Sequence, residues 1–106
     1  MTEQHAPSAE ASLHLLNRAT HGHRVWEDMM SALGAHDQVL LIEDGVTSLA
    51  HPPERLIALG ERLHVLEEDL RARGLHLLEI AQDVQRVDMK GFVALTERCR
   101  HIISWF

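Results

Sequence analysis

The chain has 106 residues, which is the size of one ordinary domain. Lys and Arg total 10 against 16 Asp and Glu, so the formal net charge is −6, and a basic nucleic-acid-binding surface spread over the whole chain is excluded. Hydrophobic residues make up 45%, which indicates a folded core, and the aromatic share of 4% disfavours a base-stacking surface. The single cysteine, Cys99, excludes an intrachain disulfide and a cysteine-rich zinc site.

The first residues of the chain are polar. We expect residues 1–11 to form a flexible tail ahead of one domain over residues 12–106. The basic start and apolar stretch of a secretory signal are missing, and no apolar run exceeds the four residues of 39–42, far fewer than the ~20 residues that a membrane-spanning helix needs. These features predict a cytoplasmic protein without a membrane segment.

Strand and helix patterns alternate in the first half of the chain. Residues 12–17 are short and apolar, which is typical of a strand, and residues 22–33 carry apolar side chains at helical spacing with Gly34 as a stop. Residues 38–42 form a continuous apolar run, as in a strand covered on both faces. A helix begins near residue 46, is interrupted by a Pro-Pro pair, and continues over residues 54–59.

The second half repeats the alternation. Strands are predicted at 62–66, 84–87 and 102–106, and helices at 70–74 and 91–98, with residues 75–81 ambiguous between helix and loop. Short connectors between alternating strands and helices predict an α/β fold. We expect a single small three-layer domain: a mostly parallel sheet of about five strands with helices on both faces.

Acidic residues follow two of the predicted strands, at the edge where α/β folds bind ligands. Glu43 and Asp44 end the second strand, and residues 67–69 end the third. These carboxylates would repel phosphate, and no glycine-rich phosphate loop is present. A metal-dependent phosphoryl receiver would also need a lysine, and the only one, Lys90, lies in a predicted turn. We interpret Asp44 as a helix cap and residues 67–69 as a first helical turn.

Nine histidines are many for this length, but only His21 and His23 form a close pair. The spacing names no third ligand for them, so solvated or capping histidines are favoured over a metal site. We therefore expect neither a metal nor another cofactor.

Cys99 is the one candidate for sulfur chemistry. Its neighbours Arg98, Arg100 and His101 would stabilise a thiolate. However, it follows a predicted helix, and the C-terminal end of a helix disfavours negative charge. The pattern therefore favours a structural thiol, and a sulfur-carrying Cys99 is the alternative.

Two groups of large apolar residues are candidates for core or subunit-interface anchors. Trp26, Met29 and Met30 lie on the first predicted helix, and Trp105 and Phe106 end the chain. Trp, Phe and Met are enriched at interfaces, and a core of this size benefits from a partner.

The order and spacing of several segments, with the Ser-Trp-aromatic ending, resemble the DsrH/TusB family of sulfur-relay proteins; the segments are residues 13–14, 40–46, 65–74, 87–88, 91–96 and 104–106. The resemblance implies a small α/β subunit of a hetero-oligomer with sister subunits, TusC and TusD or DsrF and DsrE, that passes persulfide sulfur between carrier proteins. It also implies that the principal active cysteine belongs to TusD or DsrE. Some DsrH members carry a further cysteine where this chain has Met29, and a thioether cannot hold a persulfide.

These observations lead to one hypothesis. The chain is a non-catalytic subunit of a cytoplasmic sulfur-relay complex that serves tRNA wobble-uridine 2-thiolation or sulfur oxidation, without direct contact to nucleic acid. The alternatives are a direct sulfane-sulfur carrier through Cys99 and a homo-oligomeric binding module with no sulfur role.

Overall fold

The computed structural model describes residues 11–20 and 24–106. Five strands and four α-helices follow one another along the chain, with 3-10 segments at Glu43–Ala50 and Gly60–Arg62. The strands are β1 (Ser12–Leu16), β2 (Gln38–Leu41), β3 (Leu63–Leu66), β4 (Gln85–Val87) and β5 (His101–Trp105). The helices are α1 (Val25–Ala32), α2 (Glu54–Ile57), α3 (Glu67–Ala72) and α4 (Met89–Arg98).

The five strands form one sheet in the order β4-β3-β2-β1-β5, and every neighbouring pair is parallel. Leu15 on β1, which lies between β2 and β5, is level with Leu40 of β2 on one side and with Ser104 of β5 on the other. The predicted α/β fold with a parallel sheet of about five strands is therefore confirmed.

The strand order determines which helix covers which face of the sheet. From β1 to β4 each new strand is added on the same side, so right-handed crossovers put all of those connectors on one face. The chain then returns from β4 to β5 in the opposite direction, so α4 lies on the other face. We call the first face, with Leu16, Val39 and Leu41, the closed face, and the second, with Leu13 and Leu40, the open face.

The closed face carries the larger core. Each connector on that face contributes at least one side chain with little or no solvent exposure: Met29 of α1, Leu49 of the first 3-10 segment, Leu56 of α2 and Leu70 of α3. These side chains pack on a strand surface of Leu and Val residues that is also fully buried. The connectors of the chain itself therefore cover the closed face.

The open face is only partly covered. One ten-residue helix, α4, is ~10 Å wide, whereas five strands at ~4.8 Å spacing span about 20 Å. Leu95 and Cys99 bury Leu13 and Leu40 beneath this helix. Around them lie half-buried apolar side chains, namely Leu15, Ile42, Val87 and Phe92.

Local contacts at the end of β2 and at the start of α4 hold these elements in place. The Ile42 N–H donates to the Leu16 carbonyl (3.0 Å), which brings the end of β2 against the end of β1. A Cβ atom at Gly45 would collide with that same carbonyl oxygen, so only glycine fits there. On the open face, the Asp88 carboxylate caps α4 by accepting from the Gly91 N–H at 2.8 Å.

Several boundaries differ from the sequence prediction. The predicted helix near residue 46 is a 3-10 segment that begins at Glu43, and α4 begins two residues earlier than predicted because Asp88 caps it. Of the predicted tail, residues 1–10 lie outside the described residues, while Ala11 is buried and accepts a hydrogen bond from the Arg100 N–H. No helix in the described ranges is long and apolar enough to cross a bilayer.

Candidate functional site

Cys99 lies at the C-terminal end of α4, buried at 8% exposure against Leu13, Leu40 and Leu95. Burial raises the pKa of the Cys99 thiol; nearby Arg98 opposes this shift and Asp37 adds to it. The pKa therefore stays above its ordinary value, and the group is a protonated thiol at neutral pH. Such a thiol is a poor nucleophile and sulfur acceptor, because the reactive species is the thiolate.

The described part of the chain contains no candidate metal site. Across residues 11–20 and 24–106, no group of three or more His, Cys, Asp or Glu side chains could hold an ion. The close pair considered above, His21 and His23, lies outside the described residues.

The acidic residues at the carboxyl ends of the strands make structural contacts. Asp44 does not cap a helix, so that prediction is wrong: Ile42 occupies the cap position without a side-chain bond, and Asp44 instead pairs with Arg73 at 3.1 Å. Asp69 accepts a hydrogen bond from the Glu43 N–H at 2.6 Å, which holds the 3-10 segment against α3. Glu43 needs this support because its φ of 51° lies in the left-handed region.

Residues 67–69 occupy the first turn of α3, as predicted. Glu67 pairs with Arg71 at 3.2 Å and with Arg86 of β4 at 3.3 Å. Arg86 also donates to the carbonyls of His76 and Leu78, each at 2.9 Å. The acidic residues at this edge therefore lie in a helix first turn and form ion pairs between elements. Lys90, the lysine considered above for a phosphoryl receiver, lies exposed in the first turn of α4.

A buried polar network, which the sequence did not reveal, links three distant segments. Trp105 Nε1 donates to His14 Nδ1 at 3.0 Å, and His14 Nε2 lies 2.9 Å from Asp37 Oδ2. The indole N–H only donates, so Nδ1 must accept and Nε2 must carry the proton that is donated to Asp37. Both ring nitrogens of His14 are therefore engaged, and this Asp-His pair presents no free base.

Asp37 is the centre of that network. Its carboxylate also accepts from the Ser12 N–H and the Gly34 N–H, both at 2.9 Å. Burial acts to raise the pKa of Asp37, but these two backbone bonds, together with His14, outweigh it and lower the pKa below its ordinary value. The network fixes the start of β1, the loop before β2 and the end of β5 relative to one another.

The residues predicted as interface or core anchors on α1 lie in different environments. Met29 is fully buried in the closed-face core, whereas Trp26 and Met30 are half-buried and pack against its margin. The Arg55 guanidinium lies 5.5 Å from the centre of the Trp26 ring, in cation–π contact.

The two C-terminal candidates also differ. Trp105 packs against the closed-face core, and its ring lies nearly parallel to and edge to edge with the His14 ring, with ring centres 6.1 Å apart, while Phe106 is 69% exposed. Exposed apolar side chains continue along β5 and α4; these are Ile102, Ile103, Met89 and Val93.

Apolar side chains that the described residues leave partly or largely exposed lie on the half-covered sheet, on α4 and on β5. We call Leu15, Phe92, Val93, Ile102 and Met89 the open-face surface. Exposed apolar side chains on one face are candidates for an interaction site. Sequence reasoning found the apolar residues but missed the surface, because their grouping depends on the return of the chain from β4 to β5.

Comparison with known proteins gives a consistent picture. Residues 22–102 match the family model described as DsrH like protein. The chain is 36% identical over 80 residues to Protein TusB of Erwinia tasmaniensis and 32% identical over 80 residues to Protein TusB of Shigella dysenteriae; each alignment covers 73% of this chain and 83% of the relative. The crystal structure of the ychN protein from E. coli superposes with a TM-score of 0.70 at 14% identity, covering 91% of this chain and 99% of that one, which shows a shared fold. The chain belongs to the DsrH-like family.

Proposed function

We propose that this chain is a non-catalytic docking subunit of a cytoplasmic sulfur-relay complex that serves 2-thiolation of the wobble uridine in tRNA. The observation that carries the proposal is the family match over residues 22–102, together with relatives named TusB that align over most of their own length. The TusB relatives favour the tRNA branch over sulfur oxidation.

The state of Cys99 supports the non-catalytic role. Its thiol is buried, and its pKa is raised above the ordinary value. It also sits at the end of α4 where the helix dipole disfavours a thiolate. Sulfur transfer therefore requires a cysteine from another subunit, of the kind found in TusD.

The open-face surface supports the docking role. It combines half-exposed Val93 and Met89 on α4 with the incompletely covered Leu15 on the sheet. A sister subunit resembling TusC or TusD would cover these side chains and complete the second layer of the fold. The acidic net charge fits a subunit that leaves tRNA contact to other components.

Complementation tests the pathway. A bacterial strain that lacks its own TusB is supplied with this chain, and the 2-thiouridine content of its tRNA is measured. We expect restored thiolation by the native chain and by Cys99→Ser alike. Unchanged tRNA from a strain that produces the folded chain together with its own genomic sister subunits would contradict the proposal.

Sulfur loading tests which subunit of the complex carries the sulfur. The chain is co-purified with its sister subunits, incubated with a persulfide donor, and each subunit is weighed intact. We expect the mass of added sulfur on a sister subunit and none on this chain. Added sulfur that disappears in Cys99→Ser would support the alternative in which Cys99 is a carrier.

A further inference from the structure

One side-chain hydrogen bond ties the end of β5 to the interior of the chain. Trp105 Nε1 donates to His14 Nδ1 at 3.0 Å, and His14 is only 1% exposed. The strand itself lies at the edge of the sheet, pairs only with β1 in the described ranges, and has residues 101–104 exposed. Trp105, which also packs against the closed-face core, is therefore the side chain that anchors this strand.

The acceptor for this bond exists only in the neutral imidazole. Because the indole N–H has no lone pair and can only donate, His14 Nδ1 must carry no proton, and the proton of the ring is on Nε2 beside Asp37. A second proton would enter at Nδ1 and place two N–H donors 3.0 Å apart. Turning the ring over does not remove this conflict, since both nitrogens of a protonated imidazole are donors.

The carboxylate of Asp37 stays charged while imidazoles titrate. Burial acts to raise the pKa of Asp37, but the backbone bonds from Ser12 and Gly34, together with His14, lower it below its ordinary value. Imidazoles ordinarily change charge between pH 5 and pH 8, well above that range. A proton that enters the network as the pH falls therefore goes to His14, with the charged Asp37 2.9 Å from its Nε2.

No other charged group of the described residues bonds to the His14 ring. The ionisable groups on the elements around it are His36 and Asp37 before β2, Arg62 before β3, Arg98 and Cys99 at the end of α4, Arg100 and His101 at the start of β5, and Glu27 and Asp28 on α1. Arg62 donates to the backbone carbonyls of Asp37 and Gly34, both at 2.8 Å. His101 lies on the same face of β5 as Trp105, but it is level with Ser12 and exposed.

We propose that His14 is a pH-sensitive latch on the end of β5. Neutral His14 accepts the indole N–H and holds the Trp105 ring at the margin of the closed-face core. Protonated His14 keeps its bond to Asp37, offers no acceptor to the indole, and releases the Trp105 side chain. His101–Ser104 keep their pairing with β1, so the released state is a folded chain with a loosened strand end.

The latch does not depend on the proposed sulfur-relay function. Trp105 packs on the closed face, whereas the proposed sister-subunit contact uses α4 and the open face. The isolated chain is therefore sufficient to test it, and a negative result leaves the proposed function intact.

Tryptophan fluorescence tests the release. Trp26→Phe leaves Trp105 as the only tryptophan. We expect its emission to move to longer wavelength between pH 8 and pH 5, with unchanged far-ultraviolet circular dichroism, and to follow the His14 ring resonance in NMR spectra of the same sample. This window lies above the pKa of His64, which burial and, to a smaller extent, Arg98 lower to about 4. His14→Gln, which takes no ring proton, should abolish the shift, and His101→Gln is the matched control that should keep it.

Titration of His14 in Trp105→Phe tests the same coupling from the other side. Without the indole donor, protonation no longer costs a hydrogen bond, so we expect the His14 resonance to titrate at a pH higher by roughly 0.5–1 unit than in the native chain. This readout needs no substitution of His14. An emission shift that persists in His14→Gln, a His14 resonance that does not titrate above pH 5, or an equal titration midpoint in Trp105→Phe and the native chain would overturn the latch.

Discussion

The two faces of the sheet differ in how completely the chain covers them. On the closed face, three helices and a 3-10 segment bury Leu41 and its neighbours fully. On the open face, α4 alone buries Leu13 and Leu40, and leaves Leu15 and Phe92 half-exposed. One face therefore buries most of the core of the isolated domain, while the other leaves apolar side chains partly exposed, and it is there that we propose a partner docks.

The strand order is the cause of this asymmetry. Three successive crossovers move in one direction and one returns, so right-handed connections must put three on one face and one on the other. The return crossover also creates the exposed edge strand β5. The partly uncovered open face is thus a consequence of topology as much as of any single residue.

The closed face depends on the contact at Gly45, and we expect the largest effect there. Gly45→Ala would push a methyl group into the Leu16 carbonyl and separate the 3-10 segment from β1. We expect a loss of about 4 kcal/mol or more in the free energy of unfolding, which is enough to unfold many domains. Gly34→Ala is the matched control, since its new methyl would only touch Asp37 at ordinary distance, 3.4 Å. Equal urea midpoints for the two variants would contradict the account.

Leucine truncation compares the faces directly. Leu41→Ala on the closed face removes a fully buried side chain, and we expect a loss of ~3 kcal/mol because a cavity remains. Leu15→Ala on the open face removes a half-buried one, and we expect ~1 kcal/mol. Urea unfolding of the isolated chain measures both. Similar losses would show that the open face is closed in solution.

The two buried histidines differ in how they make the stability of the fold depend on pH. His14, on the closed-face side, has both nitrogens bonded, whereas His64 beneath the open face has Nε2 bonded to Gln38 and Nδ1 without a partner in the described residues. Burial, and to a smaller extent Arg98, lowers the pKa of His64 to about 4 from its ordinary 6.5. The unfolded chain therefore binds a proton at His64 between these values when the folded chain does not, and stability falls as pH drops from 6.5 toward 4.

We expect a loss of about 2 kcal/mol between pH 7 and pH 5 from this group. His64→Leu should remove most of this slope, although it also lowers stability at every pH by leaving Gln38 unpaired. The lowered pKa of Asp37 acts in a separate window, because its contribution is present above 3.8 and is lost only at lower pH. Urea titrations at the two pH values measure the slope, and an unchanged slope in His64→Leu would contradict the assignment.

The smallest effects are expected at the end of the chain. Trp105→Phe removes the indole N–H and leaves His14 Nδ1 without its donor, for an expected loss of ~1 kcal/mol. Phe106→Ala removes an exposed ring, and we expect a change within about 0.5 kcal/mol in the isolated chain. Thermal unfolding of both variants checks the order, and a larger loss for Phe106→Ala would show that its ring is buried in solution.

Strands were predicted well from sequence because their apolar runs are continuous. The run at residues 38–42 corresponds to β2, and the predicted strand starting at residue 12 begins where β1 does. Helix ends were less accurate, since the cap at Asp88 and the 3-10 segment after β2 depend on local bonds that hydrophobic spacing does not encode.

The site was less predictable than the fold. His14 and Trp105 are 91 residues apart, so nothing in their local sequence indicates that they share a hydrogen bond. Asp44 follows a strand, and Asp is a common N-cap residue. In the structure its carboxylate instead pairs with Arg73 from another element, which the local sequence does not indicate. The position of Cys99 after a helix could be predicted, whereas the extent of its burial could not.

The central claim is that the open face is where sister subunits dock. Val93→Glu and Met89→Glu place a charge on half-exposed positions of α4, and Leu77→Glu does the same at an 86% exposed position in the β3–β4 connection. Each variant is co-expressed with the sister subunits, and the amount that co-purifies is measured. We predict that both α4 variants lose the complex while remaining folded and that Leu77→Glu retains it; a complex that survives both α4 substitutions would contradict the account.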